Sequence, residues 1–243
     1  MNQKRMRVFA GPNGSGKTTI FKGMLSEAEV ELGVYVNADD IERALNEKNV
    51  LDFDWFQLKV SEDQLKYFFQ TSTFSPIKRQ EPDLWTKLSV TDNFVEVAAK
   101  VDSYLAADLA EFIRQQLLRV KISFTYETVM SHPGKIDFFR KARENGYRVY
   151  LYYIATLDPE INISRVNVRV AQEGHAVLPD VIRSRYFKSL KNLKAAVKQT
   201  NRAYIFDNSG EQAKFIAEIA EGTNVSFNDV VALPSWVQKY LLD

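Results

Sequence analysis

The chain has 243 residues, of which 45% are hydrophobic, 12% aromatic and 26% charged, enough apolar material to fill a core and too much for a mainly disordered protein. Thirty-two Lys and Arg against 31 Asp and Glu leave a net charge of +1, which argues against a chain built chiefly to coat nucleic acid. There is no cysteine, which excludes a disulfide scaffold, a thiolate metal site and a cysteine nucleophile, and with only two histidines a His-rich metal centre is not expected.

The first apolar run, Met6–Ala10, reads as a buried strand; it is too short for the apolar segment of a secretion signal. A glycine-rich stretch follows, then a helical pattern over Lys17–Glu29. Gly33–Asn37 reads as the second strand and Ala38–Glu47 as the next helix. Between Val50 and Val101 the alternation breaks. Ser61-Glu62-Asp63-Gln64 has capping-box spacing and opens a helix through Gln70. Leu88-Ser89-Val90 and Phe94-Val95-Glu96-Val97 flank Thr91-Asp92-Asn93 as a hairpin. We read 50–101 as an insertion packed on the core.

The alternation then resumes with a helix over Ser103–Arg119, a strand over Lys121–Tyr126 and a helix over Pro133–Asn145 that stops at Gly146. Tyr147–Thr156 is the fourth strand, Pro159–Glu173 a helix capped by Asp158, Asp180–Thr200 another helix, and Arg202–Phe206 the fifth strand. Glu211–Gly222 and Pro234–Leu242 read as closing helices. Near-continuous apolarity in the strands fits a parallel sheet covered on both faces. No window reaches eighteen uninterrupted apolar residues, so no membrane span is expected, and a cytoplasmic location is.

Gly11-Pro12-Asn13-Gly14-Ser15-Gly16-Lys17-Thr18, followed by Thr19, matches the phosphate-loop pattern G-x-x-x-x-G-K-[ST] at every position. Glycines let the backbone curl so that successive N–H groups point at phosphate oxygens, and the following helix aims its positive end at the same anion. Lys17 would reach the β- and γ-phosphates, and the Thr18 hydroxyl would coordinate Mg²⁺. The expectation is therefore a single α/β domain over 1–243 with the P-loop fold: a five-stranded, mainly parallel sheet flanked by helices, carrying a helical and hairpin insertion at 50–101.

Ligands in open α/β sheets bind at the carboxyl ends of strands. Asp39, just after the second strand, is placed there as a carboxylate that takes the proton of an acceptor hydroxyl or holds Mg²⁺ through water, with Asp40 as the helix cap. Glu127 closes the third strand, where a desolvated carboxylate needs a partner. His132 is read as a capping or hydrogen-bonding residue rather than a ligand. Arg165 and Arg169 are four apart on one helix face, and Arg183 and Arg185 open the next helix. Two such helices would form a lid whose arginines neutralise charge on a transferred phosphoryl group. Asp207-Asn208-Ser209-Gly210 admits a metal-holding aspartate, but a plain turn is preferred.

In order along the chain come Gly11–Thr19, Asn37-Ala38-Asp39, Phe124-Thr125-Tyr126-Glu127-Thr128-Val129-Met130-Ser131, Gly146-Tyr147, Arg165 with Arg169, and Gly174-His175. Arg185-Tyr186, Ser189-Leu190 and Asp207-Asn208-Ser209 complete the set. Together these resemble the zeta toxin family of P-loop kinases, in its branch of short bacterial proteins described as predicted ATPases. The resemblance implies a phosphotransferase that uses ATP or GTP with Mg²⁺. It implies Asp39 as catalytic aspartate, Glu127 as the acidic residue ending the third strand, and Arg165, Arg169, Arg183 and Arg185 as the arginine region. It also implies a small hydroxyl acceptor such as UDP-N-acetylglucosamine and an antitoxin protein as partner. The alternative is a nucleotide-dependent ATPase switch whose insertion, with Trp55, Trp85 and several Phe, contacts a protein. A nucleic-acid end kinase, prompted by Lys191, Lys194 and Lys198, is disfavoured by the near-neutral charge.

Overall fold

In a computed structural model the chain is described over residues 3–27, 32–72, 74–171, 177–228 and 233–243. In chain order the first elements are β1 (Arg5–Ala10), α1 (Lys17–Glu27), β2 (Val34–Val36), α2 (Ala38–Lys48) and β3 (Val50–Asp52). Next come α3 (Glu62–Thr71), α4 (Ser75–Arg79), β4 (Leu88–Thr91), β5 (Phe94–Val97) and α5 (Ser103–Arg119). Then follow β6 (Phe124–Thr128), α6 (Gly134–Glu144), β7 (Arg148–Ala155), α7 (Pro159–Ala171) and α8 (Pro179–Val197). The last strands are β8 (Arg202–Asp207), β9 (Lys214–Ala220) and β10 (Asn224–Phe227). The chain forms two units, Met1–Glu31 with Tyr126–Asp243, and Leu32–Thr125.

The first unit is an α/β layer. Its strands lie in the order β10-β9-β8-β7-β1-β6. Strands β1, β7 and β8 run parallel, Arg5 facing Arg148 and Tyr150 facing Arg202, while β9 and β10 return antiparallel. The five predicted strands form, and β9 and β10 extend the sheet beyond β8. Segment 211–222 is thus corrected from helix to strand. Its apolar positions, Phe215, Ile216, Ile219 and Ala220, fit a helical face as well as a strand, and pairing with β8 decides between them. The pairing leaves Ala217 and Ile219 buried and brings Glu218 to Arg202.

One face of the sheet is tied to α8, whose Leu190, Leu193 and Val197 are all buried. Tyr153 is fully buried, its hydroxyl 3.0 Å from Ser189 Oγ, and burial pushes its pKa up. Tyr186 donates to Thr156 O at 2.6 Å. These two phenols fasten α8 to the carboxyl end of β7. On the other face Tyr152 stacks between Phe9 (4.6 Å) and Tyr204 (5.0 Å), and burial pushes its phenol up to about 12. Trp236 closes the unit near the C-terminus. Its indole N–H donates to Asp207 Oδ2 at 2.8 Å, and Oδ1 accepts from Ser209 N at 3.1 Å. Asp207 therefore organises a turn, as the sequence reading preferred. Trp236→Phe is expected to lower stability by about 1–3 kcal/mol, because it strips a buried carboxylate oxygen of its partner. Denaturant unfolding measures this, and an unchanged midpoint would contradict it.

The second unit holds β2, α2, α5 and the 50–101 segment. Here β2 lies beside the start of β6, Val34 N donating to Ser123 O at 3.0 Å. The strand predicted at 121–126 starts later, at Phe124, because Lys121 takes a left-handed φ of 57° and the chain is still turning off α5. Ser61 and Gln64 form the predicted capping box of α3. The predicted hairpin forms as β4 and β5, turning on Asp92 and Asn93 with φ of 49° and 70°. A short β3 adds to β5. Phe53, Phe69, Leu84 and Val95 are buried core, and Phe53 and Phe68 meet Phe112 of α5 edge-on. Asp108, buried on α5, accepts from Ser72 Oγ, Ser75 N and Ser75 Oγ at 2.7, 3.0 and 2.6 Å, which ties α4 down.

Candidate active site

Strand β1 delivers the chain to the loop Gly11–Gly16, and α1 begins at Lys17. Gly14 has φ +73° and Gly16 has φ +93°, conformations an L side chain adopts only under strain. Space forbids a side chain as well. A Cβ on Gly14 would lie 2.5 Å from Asn162 O, and one on Gly16 would lie 2.2 Å from Asn208 Nδ2. Gly14→Ala is expected to cost about 1–3 kcal/mol in backbone strain alone and to weaken ATP binding. Unfolding curves with an ATP titration check both, and unchanged stability would contradict the argument.

The Lys17 ammonium bridges Gly11 O and Pro12 O, each at 3.0 Å, and so stands over the loop. Thr18 Oγ1 donates to Glu127 Oε2 at 2.9 Å. A hydroxyl and a carboxylate side by side are hard oxygen donors of the kind Mg²⁺ takes, and one or two such groups are all that a Mg²⁺–nucleotide site asks of a protein. Thr19, next along α1, is exposed. Among the described residues no three His, Asp or Glu side chains gather as a metal site.

Helix α7 braces the loop. Asn162, fully buried beside Ile163 and Val166, donates from Nδ2 to Asn13 O at 2.6 Å, and its Oδ1 accepts from Thr156 Oγ1. Arg165 donates to Asn208 O (2.7 Å) and Gly210 O (3.1 Å), and Asn208 Nδ2 in turn donates to Ser15 O at 2.8 Å. Arg165 therefore grips the turn after β8. Arg183 is paired with Glu160 (2.6 Å) and Asp180 (2.9 Å). Arg169 is exposed and Arg185 half-buried, and neither side chain has a hydrogen-bond or ion-pair partner among the described residues. Helices α7 and α8 pack through Ile163, Val166 and Ile182. The Glu173-Gly174-His175 turn predicted between them lies outside the described residues. His132 Nδ1 accepts from Gly134 N at 3.1 Å, a local hydrogen bond, while the N-cap position of α6 is taken by Pro133.

Asp39 belongs to the second unit. Its helix starts at Ala38, and the cap is Asn37, whose Oδ1 accepts from Asp39 N at 2.9 Å. This corrects the assignment of Asp40 as cap. Both aspartates sit in the first turn, where the helix dipole favours them. Asp40 is paired with Arg43 at 2.7 Å, whereas the exposed Asp39 carboxylate has no partner among the described residues.

Sequence reasoning missed Asn162 and Asn208. The signal for Asn162 was a polar residue on the inward stripe of α7, beside Ile163 and Val166. Asn208 looked like an ordinary turn residue.

Strand, glycine loop, helix and flanking parallel strands define a phosphate-binding P-loop α/β protein. The chain matches the family model described as zeta toxin over residues 92–218 and belongs to that family. An uncharacterized protein of Haemophilus influenzae is 35% identical over 69 residues, covering 28% of this chain and 49% of its own. The structure of AvrRxo1-ORF1 with AvrRxo1-ORF2 and sulphate ions is similar at a TM-score of 0.54 and 17% identity, over 93% of this chain and 61% of that one. The PezAT toxin–antitoxin system of Streptococcus pneumoniae is similar at 0.53 and 14%, over all of this chain and 80% of that one. The chain thus spans about half the length of the Haemophilus relative and under two thirds of the AvrRxo1 chain. At these identities the structural likeness concerns the fold.

Proposed function

We propose that the protein is a kinase that moves the γ-phosphoryl group of ATP or GTP to a hydroxyl of a small molecule. The observation that carries this is the loop itself: Lys17 Nζ stands over it, and Thr18 Oγ1 meets the Glu127 carboxylate beside it. In this reading backbone N–H groups of the loop and of the start of α1, with the Lys17 ammonium, hold the donor's phosphates. Thr18, with Glu127 through water, would hold Mg²⁺, which when bound neutralises charge on the β- and γ-phosphates.

Asp39 takes the proton from the acceptor hydroxyl as its oxygen bonds to the γ-phosphorus. The bond from phosphorus to the bridging oxygen breaks, and the nucleoside diphosphate leaves with that electron pair. Arg169 and Arg185, whose guanidinium groups have no partner among the described residues, would meet phosphoryl charge; Arg165 and Arg183 serve first as braces. UDP-N-acetylglucosamine, the acceptor implied by the family resemblance, is the first candidate. The AvrRxo1 and PezAT structures are of toxin–antitoxin or two-protein assemblies, one of the former with ATP, and we propose a protein partner here too. No helix among the described residues is long and apolar enough to cross a membrane, and a cytoplasmic location is proposed because ATP and sugar nucleotides are found there.

The test is to incubate the full chain with labelled ATP, Mg²⁺ and a panel of sugar nucleotides and nucleosides. Label is expected on one acceptor. Steady phosphate release with no labelled acceptor would favour the second reading, a nucleotide-dependent switch. That reading keeps one observation of its own: Trp55, Tyr67 and Ile77 of the second unit are 53%, 69% and 64% exposed.

A further inference from the structure

We propose that Asn162 and Asn208 are positioning residues that set the phosphate affinity of the loop, an inference that rests on the nucleotide-binding reading above. A backbone loop that cradles an anion turns its N–H groups inward and its carbonyls outward. Each outward carbonyl then needs a donor of its own. Four loop carbonyls have a side-chain donor here. Gly11 O and Pro12 O take theirs from Lys17, Asn13 O from Asn162 and Ser15 O from Asn208. The lysine is claimed by the phosphates once nucleotide binds, so its two contacts are lost at that moment. The asparagine amides are neutral and lie behind the loop, so theirs persist with and without ligand.

Both asparagines are themselves held. Asn162 is fully buried and bonded to Thr156. The backbone of Asn208 donates to Ala155 O at 2.8 Å and accepts from Arg165 Nη1 at 2.7 Å. The Asn208 amide also stands against Gly16 closely enough to exclude a Cβ, and at Gly14 the backbone carbonyl of Asn162 does the same. An aspartate of the same shape would offer an oxygen where the carbonyl needs a donor, and would add negative charge behind the phosphates.

Two probes are titrated by calorimetry into the full chain with Mg²⁺: ATP, and tripolyphosphate, which has no base or sugar. The chains compared are wild type, Asn208→Ala, Asn208→Asp and Asn162→Ser. Asn208→Ala is expected to weaken both probes by the same factor, about tenfold for one lost hydrogen bond, and Asn208→Asp by more. The nucleotide-free melting temperature of Asn208→Ala is expected to stay near wild type, since this half-buried turn keeps its backbone bonds. Asn162→Ser is expected to behave like Asn208→Ala; if this buried change unfolds the chain, the Asn208 pair carries the test. Unchanged tripolyphosphate affinity in Asn208→Ala overturns the inference. So does a loss confined to ATP, which would put Asn208 at the base or ribose. A wild-type chain that binds neither probe overturns the nucleotide reading itself.

Discussion

Asp39→Asn is expected to lower phosphoryl transfer by about 10²–10⁴-fold, the usual worth of a positioned general base, while ATP affinity stays near wild type. The change swaps one oxygen for an amide nitrogen and leaves shape and helix start alone. The cap of α2 is Asn37, so the substitution removes no capping hydrogen bond made by the Asp39 side chain. Asp40 supplies the internal control. Its carboxylate is engaged with Arg43 at 2.7 Å, so Asp40→Asn loses one exposed ion pair and is expected to leave transfer nearly unchanged. Rapid-quench assays of the two variants side by side check the assignment. Equal rates for Asp39→Asn and wild type would remove Asp39 from the chemistry.

Lys17→Ala is expected to lower transfer by about 10²–10³-fold, the loss typical of one preorganised charged donor at the reacting group, and to weaken ATP binding as well. The two effects separate it from Asp39→Asn, which spares binding. The Lys17 ammonium donates to Gly11 O and Pro12 O, two loop carbonyls at the protein's phosphate site rather than in its core, so the fold is expected to survive. Transfer rates and ATP titration on one preparation measure both effects. Full ATP affinity in Lys17→Ala would contradict the role given to the ammonium.

Much of this was legible in the sequence because the signals were local. The phosphate loop depends on residue types at fixed spacing, and its glycines stand where a Cβ would collide. The α3 capping box and the Asp92-Asn93 hairpin likewise depend on a few neighbouring residues. What stayed hidden depends on distant partners. Segment 211–222 has helical and strand periodicity alike until β8 supplies an edge for it. Arg165 and Arg183 looked equivalent to Arg169 and Arg185, and only folding commits the first pair to Asn208, Gly210, Glu160 and Asp180. Asn208 lies 193 residues from the carbonyl it holds, a distance no spacing rule reaches. Asp39 and Asp40 differ for the opposite reason: the helix begins earlier than the cap reading assumed, and one neighbour, Arg43, then selects Asp40.

The proposed reaction is transfer to a hydroxyl rather than to water. Phosphorus NMR of the full chain with ATP, Mg²⁺ and UDP-N-acetylglucosamine, followed by other sugar nucleotides in turn, tests it most directly. A phosphate-ester resonance is expected to grow in step with ADP for one acceptor and to be absent with Asp39→Asn. Inorganic phosphate growing in step with ADP, with no ester for any acceptor, would contradict it.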